Sequence, residues 1–167
     1  MGYRSDIRIR LRKEDYKNLV EKFEEERDKH KANVLVLQSL LEQATTDEEK
    51  TKIRNDIYKE DCMCDLFDKD NKSDWKELAI YREEETTIYE GYDKETEKYN
   101  SHEEDTVYFG WNGLKWYRGY ADVDFIMDYI QNLDYYAYAR IGEEMGDIEQ
   151  LENGFDTICV YAGFDED

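Results

Sequence analysis

Ile7-Arg8-Ile9-Arg10-Leu11-Arg12 decides the fold class of this chain. Three apolar residues alternate with three arginines, which is the period of two expected of a half-buried strand with one basic face. Directly behind it, from Glu14, the period changes. Tyr16, Val20, Phe23, Arg27, His30, Val34, Leu37, Leu41 and Ala44 recur in steps of three and four, the seam of a helix that packs against another helix, interrupted by Arg27 and His30. Thr46-Asp-Glu-Glu49 then matches a capping box, in which a threonine hydroxyl and a glutamate carboxylate satisfy free N–H groups at a helix start. A second helix is expected to follow, with Ile53, Ile57, Cys64 and Phe67 facing inward. Residues 14–68 therefore read as a long antiparallel helical hairpin subdomain inserted after strand 1, its arms joined near residues 44–47.

Further along, Leu78, Ile80, Ile88 and Tyr89 surround the acidic run Glu83-Glu84-Glu85 and point to a short hairpin over residues 76–92, while residues 93–105 are polar and read as a loop. Thr106-Val-Tyr-Phe-Gly-Trp111 and Leu114-Lys-Trp-Tyr117 flank Asn112-Gly113, the dipeptide suited to a type I′ turn, so a tight hairpin is expected there. Asp122 is placed to cap a helix carrying Val123, Ile126, Tyr129, Ile130 and Leu133 on one side. Residues 136–141 and 157–161 read as strands, separated by the glycine-punctuated acidic loop Gly142-Glu-Glu-Met-Gly-Asp-Ile-Glu149. The order gives one α+β domain over residues 1–167, with a mixed or antiparallel sheet, a C-terminal helix on one face and the helical hairpin inserted after strand 1.

Charge is the most unusual global property. Acids number 43 and bases 23, a net charge of −20, in a chain that is still 40% hydrophobic. Such a charge repels nucleic acid and anionic lipid and attracts basic surfaces. The 15 Tyr, 6 Phe and 3 Trp argue for a packed core rather than a solvated coil. Residues 1–13 hold Arg4, Arg8, Arg10, Arg12 and Lys13 against Asp6 alone, net +4; residues 14–70 are net −7 and residues 71–167 net −17. The arginines of strand 1 are expected to balance acids of the same molecule rather than to hold phosphate. With no proline anywhere, proline-rich docking motifs are excluded. No run of about 18 apolar residues is present, and Met1-Gly-Tyr-Arg-Ser-Asp6 leads into charge alternation without a signal-peptide apolar region, so a cytoplasmic protein with no membrane partner is expected. Cys62, Cys64 and Cys159 cannot all pair and are expected to be reduced thiols.

Catalytic and metal motifs fare poorly. Asp68, Asp70 and Asp74 fall at the first, third and seventh positions of a calcium loop, but Lys72 intrudes among the ligands, Ser73 replaces the turn glycine and Ala79 replaces the closing glutamate. His30 and His102 are far in sequence from any thiol pair, so no zinc site is expected. Glu143, Glu144, Asp147 and Glu149 would suit a metal-dependent carboxylate hydrolase only with a divalent metal near Asp147, and no nucleophile or phosphate loop accompanies them. Trp111, Trp116, Tyr117 and Tyr120 lack the basic groove a base-stacking platform needs. No enzyme and no cofactor are expected. Glu143, Glu144, Asp147 and Glu149, together with Tyr117 and Tyr120, are instead the candidate partner-binding residues, and the expected partner is a protein with a basic surface rather than nucleic acid itself.

Three stretches, Met1-Gly-Tyr-Arg-Ser-Asp6, the Trp111–Tyr117 segment ending Lys-Trp-Tyr, and Arg140-Ile-Gly-Glu143 with Gly146-Asp-Ile-Glu149, together resemble small acidic proteins encoded by bacterial phages and prophages. The resemblance covers about a fifth of the chain, and the helical hairpin lies outside it. It implies a phage setting, the host cytoplasm and an α+β body, and brings no catalytic residues. In that setting the expectation is an inhibitor of a host nucleic-acid-processing or defence protein, of the restriction or CRISPR kind, acting by partial nucleic-acid mimicry. The alternative is a structural or adaptor protein that forms a homodimer through the residue 14–68 hairpin.

Overall fold

A computed structural model describes residues 3–60, 63–68 and 80–160. Among the described residues, five strands form one sheet in the order β2-β3-β1-β4-β5, every neighbour antiparallel. They are β1 (Ser5–Arg12), β2 (Tyr81–Asp93), β3 (Lys98–Leu114), β4 (Tyr136–Gly142) and β5 (Ile148–Asn153). The helices are α1 (Lys13–Gln43), α2 (Asp47–Glu60) and α3 (Ala121–Gln131). The α+β class, the antiparallel sheet and the long helix after strand 1 are therefore as the sequence indicates.

β1 lies at the centre because its alternation gives it two usable faces. Ile7, Ile9 and Leu11 are fully buried and pair across the sheet with Trp111, Phe109 and Val107 on one side. The first three turns of α1 lay Tyr16, Leu19 and Phe23 onto this layer, and α3 adds Val123, Ile126 and Ile130. Phe67 fills the gap between them, with its ring 5.0 Å from Phe23 and 5.4 Å from Trp111, both edge to face. Such aromatic contacts add about 0.5–1.5 kcal/mol each beyond burial. On the opposite face, Arg8, Arg10 and Arg12 stack over Tyr81, Tyr108 and Tyr135 at 5.1–5.3 Å from the ring centroids. Arg10 also pairs with Glu85 at 3.3 Å and Arg12 with Asp15 at 2.7 Å. Arg10 and Arg12 thus balance acids of the same molecule, as expected, while Arg8 is engaged by Tyr81 and by Asn112. A second small cluster, Ala137, Ala139, Phe155 and Ile158, covers the rest of this face.

The helical hairpin forms with its capping box intact: Glu49 N–H donates to Thr46 Oγ1 at 3.2 Å, and Thr46 N–H donates to Glu49 Oε2 at 3.4 Å. α1, at 31 residues, is about 46 Å long at ~1.5 Å per residue. The buried residues of α1 all lie in its first half; α2 buries no residue and, among the described elements, packs mainly on α1. The hairpin thus projects from the body.

Several local expectations are corrected. α2 ends at Glu60, so Cys64, which is exposed, and Phe67, which is buried, lie beyond it rather than on its inner face. Residues 81–93 form one strand, and residues 98–105 are strand rather than loop, because β2 and β3 pair continuously from Tyr81↔Gly110 to Asp93↔Lys98 around a turn at residues 94–97. Residues 76–79 of the expected short hairpin lie outside the described residues. Asn112-Gly113 does not reverse the chain. It forms an irregularity in β3 opposite Asp6, where the pairing slips between Ser5↔Leu114 and Ile7↔Trp111 and Gly113 takes φ +65°. β1 side chains hold it there: Asp6 Oδ1 accepts from Gly113 N–H at 2.7 Å, Arg4 donates to Gly113 O at 2.8 Å, and Arg8 donates to Asn112 Oδ1 at 2.8 Å. Long-range pairing on both edges of β3 outweighs the local preference for a turn. Asp122 sits inside the first turn of α3, not at its cap, which is Tyr120. β5 arises within the acidic loop, while residues 157–160 carry no strand pairing and Tyr161 lies outside the described residues.

Candidate functional site

The β4–β5 turn and the start of the chain meet at Tyr3. Its hydroxyl donates to Asp147 Oδ2 and accepts from Glu144 N–H, and its carbonyl accepts from the Tyr117 hydroxyl at 2.7 Å. Tyr117 in turn meets Tyr120 edge to face at 5.5 Å. Antiparallel pairing of β4 with β5 sets Arg140 opposite Glu149. The Arg140 guanidinium grips Asp147 with two bonds of 2.6 and 2.9 Å and reaches Glu149 at 3.2 Å. Five of the candidate partner-binding residues, Glu144, Asp147, Glu149, Tyr117 and Tyr120, are thus linked through Tyr3 and Arg140, with Glu143 next to them in the chain, but they differ in what they offer. The Arg140 and Tyr3 hydrogen bonds hold the Asp147 carboxyl at about 2, well below the usual aspartate value. The same bond to Asp147 pushes the Tyr3 hydroxyl up. Asp147 and Glu149 are occupied by Arg140, whereas Glu143 and Glu144 at the turn are exposed.

A larger acidic element was not legible in the sequence. β1 ends at Arg12, opposite Thr106, and β2 and β3 run on past it for eight further cross-strand pairs, Thr86↔Asp105 to Asp93↔Lys98. At ~3.3 Å per residue this two-stranded ribbon extends about 26 Å. Its root is steadied on the helix-free face by Tyr89, which packs on Tyr135 at 4.8 Å and Phe155 at 5.4 Å. Two acids at the root are matched: Glu84 by Lys13 at 3.0 Å and by Arg82 at 2.7 Å, which lowers its pKa, and Glu85 by Arg10. Further out, Glu103 and Glu90 along the ribbon and Glu95 and Glu97 in its turn are exposed and form no salt bridge among the described residues. Asp93 is held below its usual range by the backbone N–H groups of Glu95 and Thr96 and organises the turn. On the helix-side face, Ile88, Tyr92 and Tyr99 stand exposed among these acids, with Tyr92 and Tyr99 directly paired at 5.2 Å between rings.

A cleft of about 670 Å³ opens between α1 and the root of the ribbon, floored by Tyr16, Val20, Phe67 and Ile80 and rimmed by Lys13, Lys17, Arg82, Glu14 and Glu21. Among the described residues no group of three or more histidine, cysteine or acidic side chains is placed to hold a metal ion. A divalent metal at Asp147 would have to displace both Arg140 and Tyr3. His30 belongs to the helical hairpin, where its Nδ1 lies 2.7 Å from Glu60. Asp68 is the one calcium-loop candidate among the described residues, Asp70 and Asp74 lying outside them. No described helix is long and apolar enough to cross a membrane.

Fold and surface together define an α+β protein with two projecting arms, one helical and one an acidic β-ribbon. Compared with known proteins, the chain matches no family model, no curated protein and no solved structure.

Proposed function

We propose that the chain is a non-enzymatic acidic binding protein, phage-encoded and acting in the host cytoplasm, that inhibits a host nucleic-acid-processing or defence protein by occupying its basic cleft. The observation that carries this reading is the outer ribbon, where Glu90, Glu95, Glu97 and Glu103 are exposed and form no salt bridge among the described residues, and where acids outnumber Lys94 and Lys98, whereas Glu84, Glu85 and Asp147 are paired with Lys13, Arg10 and Arg140. Nucleic acid gains affinity for a basic cleft by releasing the ions that screen it, and a set of carboxylates held along one ribbon gains in the same way. Ile88, Tyr92 and Tyr99 add apolar contact of the kind enriched at protein interfaces. Glu143, Glu144 and Tyr120 form a second exposed acidic and aromatic patch at the β4–β5 end.

The test is capture of partners from host lysate by the tagged protein at low and high salt, with bound proteins identified by mass spectrometry. Capture of a nucleic-acid-processing enzyme that is lost as salt rises, and competed by duplex DNA, is the expected result. Binding that ignores salt removes the mimicry; recovery of bait alone, or of virion proteins at any salt, removes the inhibitor reading.

A further inference from the structure

The outer half of α1 is apolar on both sides, and α2 covers only one of them. Facing α2, Val34, Leu37 and Leu41 are half-buried. On the outward side, Leu35, Val36 and Leu40 are 68%, 60% and 47% exposed. With Ala32 and Ser39 they recur at i, i+3, i+4, i+7 and i+8, the spacing of a helix face that packs against something. Residues 32–41, Ala-Asn-Val-Leu-Val-Leu-Gln-Ser-Leu-Leu, contain no charged side chain, although 40% of the chain is charged. A solvated helix in so charged a protein has no reason to exclude charge over ten consecutive residues.

Charge also selects the occupant. Residues 29–60, the free part of the hairpin, contain six acidic and six basic residues, a net of zero within a chain of net −20. A basic partner gains nothing at this neutral arm and is drawn to the ribbon instead. Two copies of the chain repel wherever their bodies approach, and this arm, held away from the body, lets them meet without that cost. We infer that the outward stripe Leu35, Val36, Leu40 is a self-association surface, on which the arms of two copies pair as an isologous helical bundle. The dimer carries its two acidic bodies apart, so each ribbon stays free. The inference goes beyond the acidic-surface reading and does not depend on it.

Sedimentation velocity on the full chain over a concentration series tests this. The expected result is a mass rising from 20.2 kDa towards twice that value, more readily at high salt, where repulsion between bodies is screened. Leu35→Glu with Leu40→Glu should hold the protein monomeric throughout, with wild-type helicity by circular dichroism, since both side chains are exposed. Glu90→Gln with Glu103→Gln should dimerise as the wild type does. A 20.2 kDa species at every concentration and salt overturns the inference, whatever else the stripe then captures, and so does undiminished association of the leucine variant. The opposite salt dependence separates this failure from failure of the partner-binding reading.

Discussion

The indole N–H of Trp111 donates to the carbonyl of Leu66 at 2.7 Å, and both residues are fully buried. This bond ties the chain leaving the helical hairpin to the middle of the sheet, because Trp111 is paired with Ile7 of β1. Trp111→Phe leaves the Leu66 carbonyl without its donor in a dry site, which costs about 1–3 kcal/mol. Urea unfolding should show a lower midpoint with an unchanged slope; an unchanged midpoint would mean that the loop re-forms around another donor.

Gly110 is required for a different reason. A Cβ there would lie 1.7 Å from the Ile7 carbonyl oxygen, which is backbone of the central strand and cannot swing aside. Gly110→Ala is expected to cost about 1–3 kcal/mol or more by forcing β1 and β3 apart. Amide exchange should accelerate along β1 before it does in α3, and uniform acceleration would count against a local strand separation.

Asp147 sets an acid limit. Its folded value of about 2 lies below an ordinary aspartate value of about 3.9. A depressed carboxylate contributes fully above the unfolded value, and that contribution is lost as pH falls from about 4 to about 2. Thermal melts should therefore decline over this window, and Asp147→Asn should be less stable at neutral pH but flatter below it. Parallel profiles for the two proteins would show that the Arg140 bonds do not stabilise the fold.

The ribbon supplies the functional prediction. Neutralising Glu90, Glu95, Glu97 and Glu103 to glutamine should weaken capture of the partner by roughly tenfold or more at low salt, about 1.4 kcal/mol, and flatten its salt dependence. The melting temperature should stay put, since these side chains are exposed. Equal affinity of wild type and variant would move the binding surface elsewhere, with Glu143, Glu144 and Tyr120 next in line.

What the sequence disclosed depended on whether a signal was local and one-sided. β1 was legible because Ile7, Ile9 and Leu11 bury one face completely, and the α2 start because Thr46 and Glu49 satisfy each other within one turn. The ribbon was not, because beyond Thr106 no ribbon residue is fully buried and the half-buried positions of β2, Thr87, Tyr89, Gly91 and Asp93, are not an apolar set. β5 was hidden likewise, with every residue exposed except Leu151. Asn112-Gly113 carried a genuine turn propensity, but Asp6, Arg4 and Arg8, over a hundred positions away, supply the bonds that make it a bulge. The gathering of Glu144, Asp147 and Tyr117 around Tyr3 was likewise invisible until the register of β4 and β5 was known.

β3 pairs without a slip from the ribbon tip to Trp111, and this makes the ribbon's length a matter of parity. Adding or removing two residues in each arm lengthens or shortens the reach by a full repeat and leaves every side chain on its own face. A single-residue change in both arms near the root would instead swap the faces of everything beyond it. Glu90, Glu103, Tyr92 and Tyr99 would then trade places with Gly91, His102, Asp93 and Lys98. Only even steps in each arm therefore change the reach while keeping the chemistry presented at the tip.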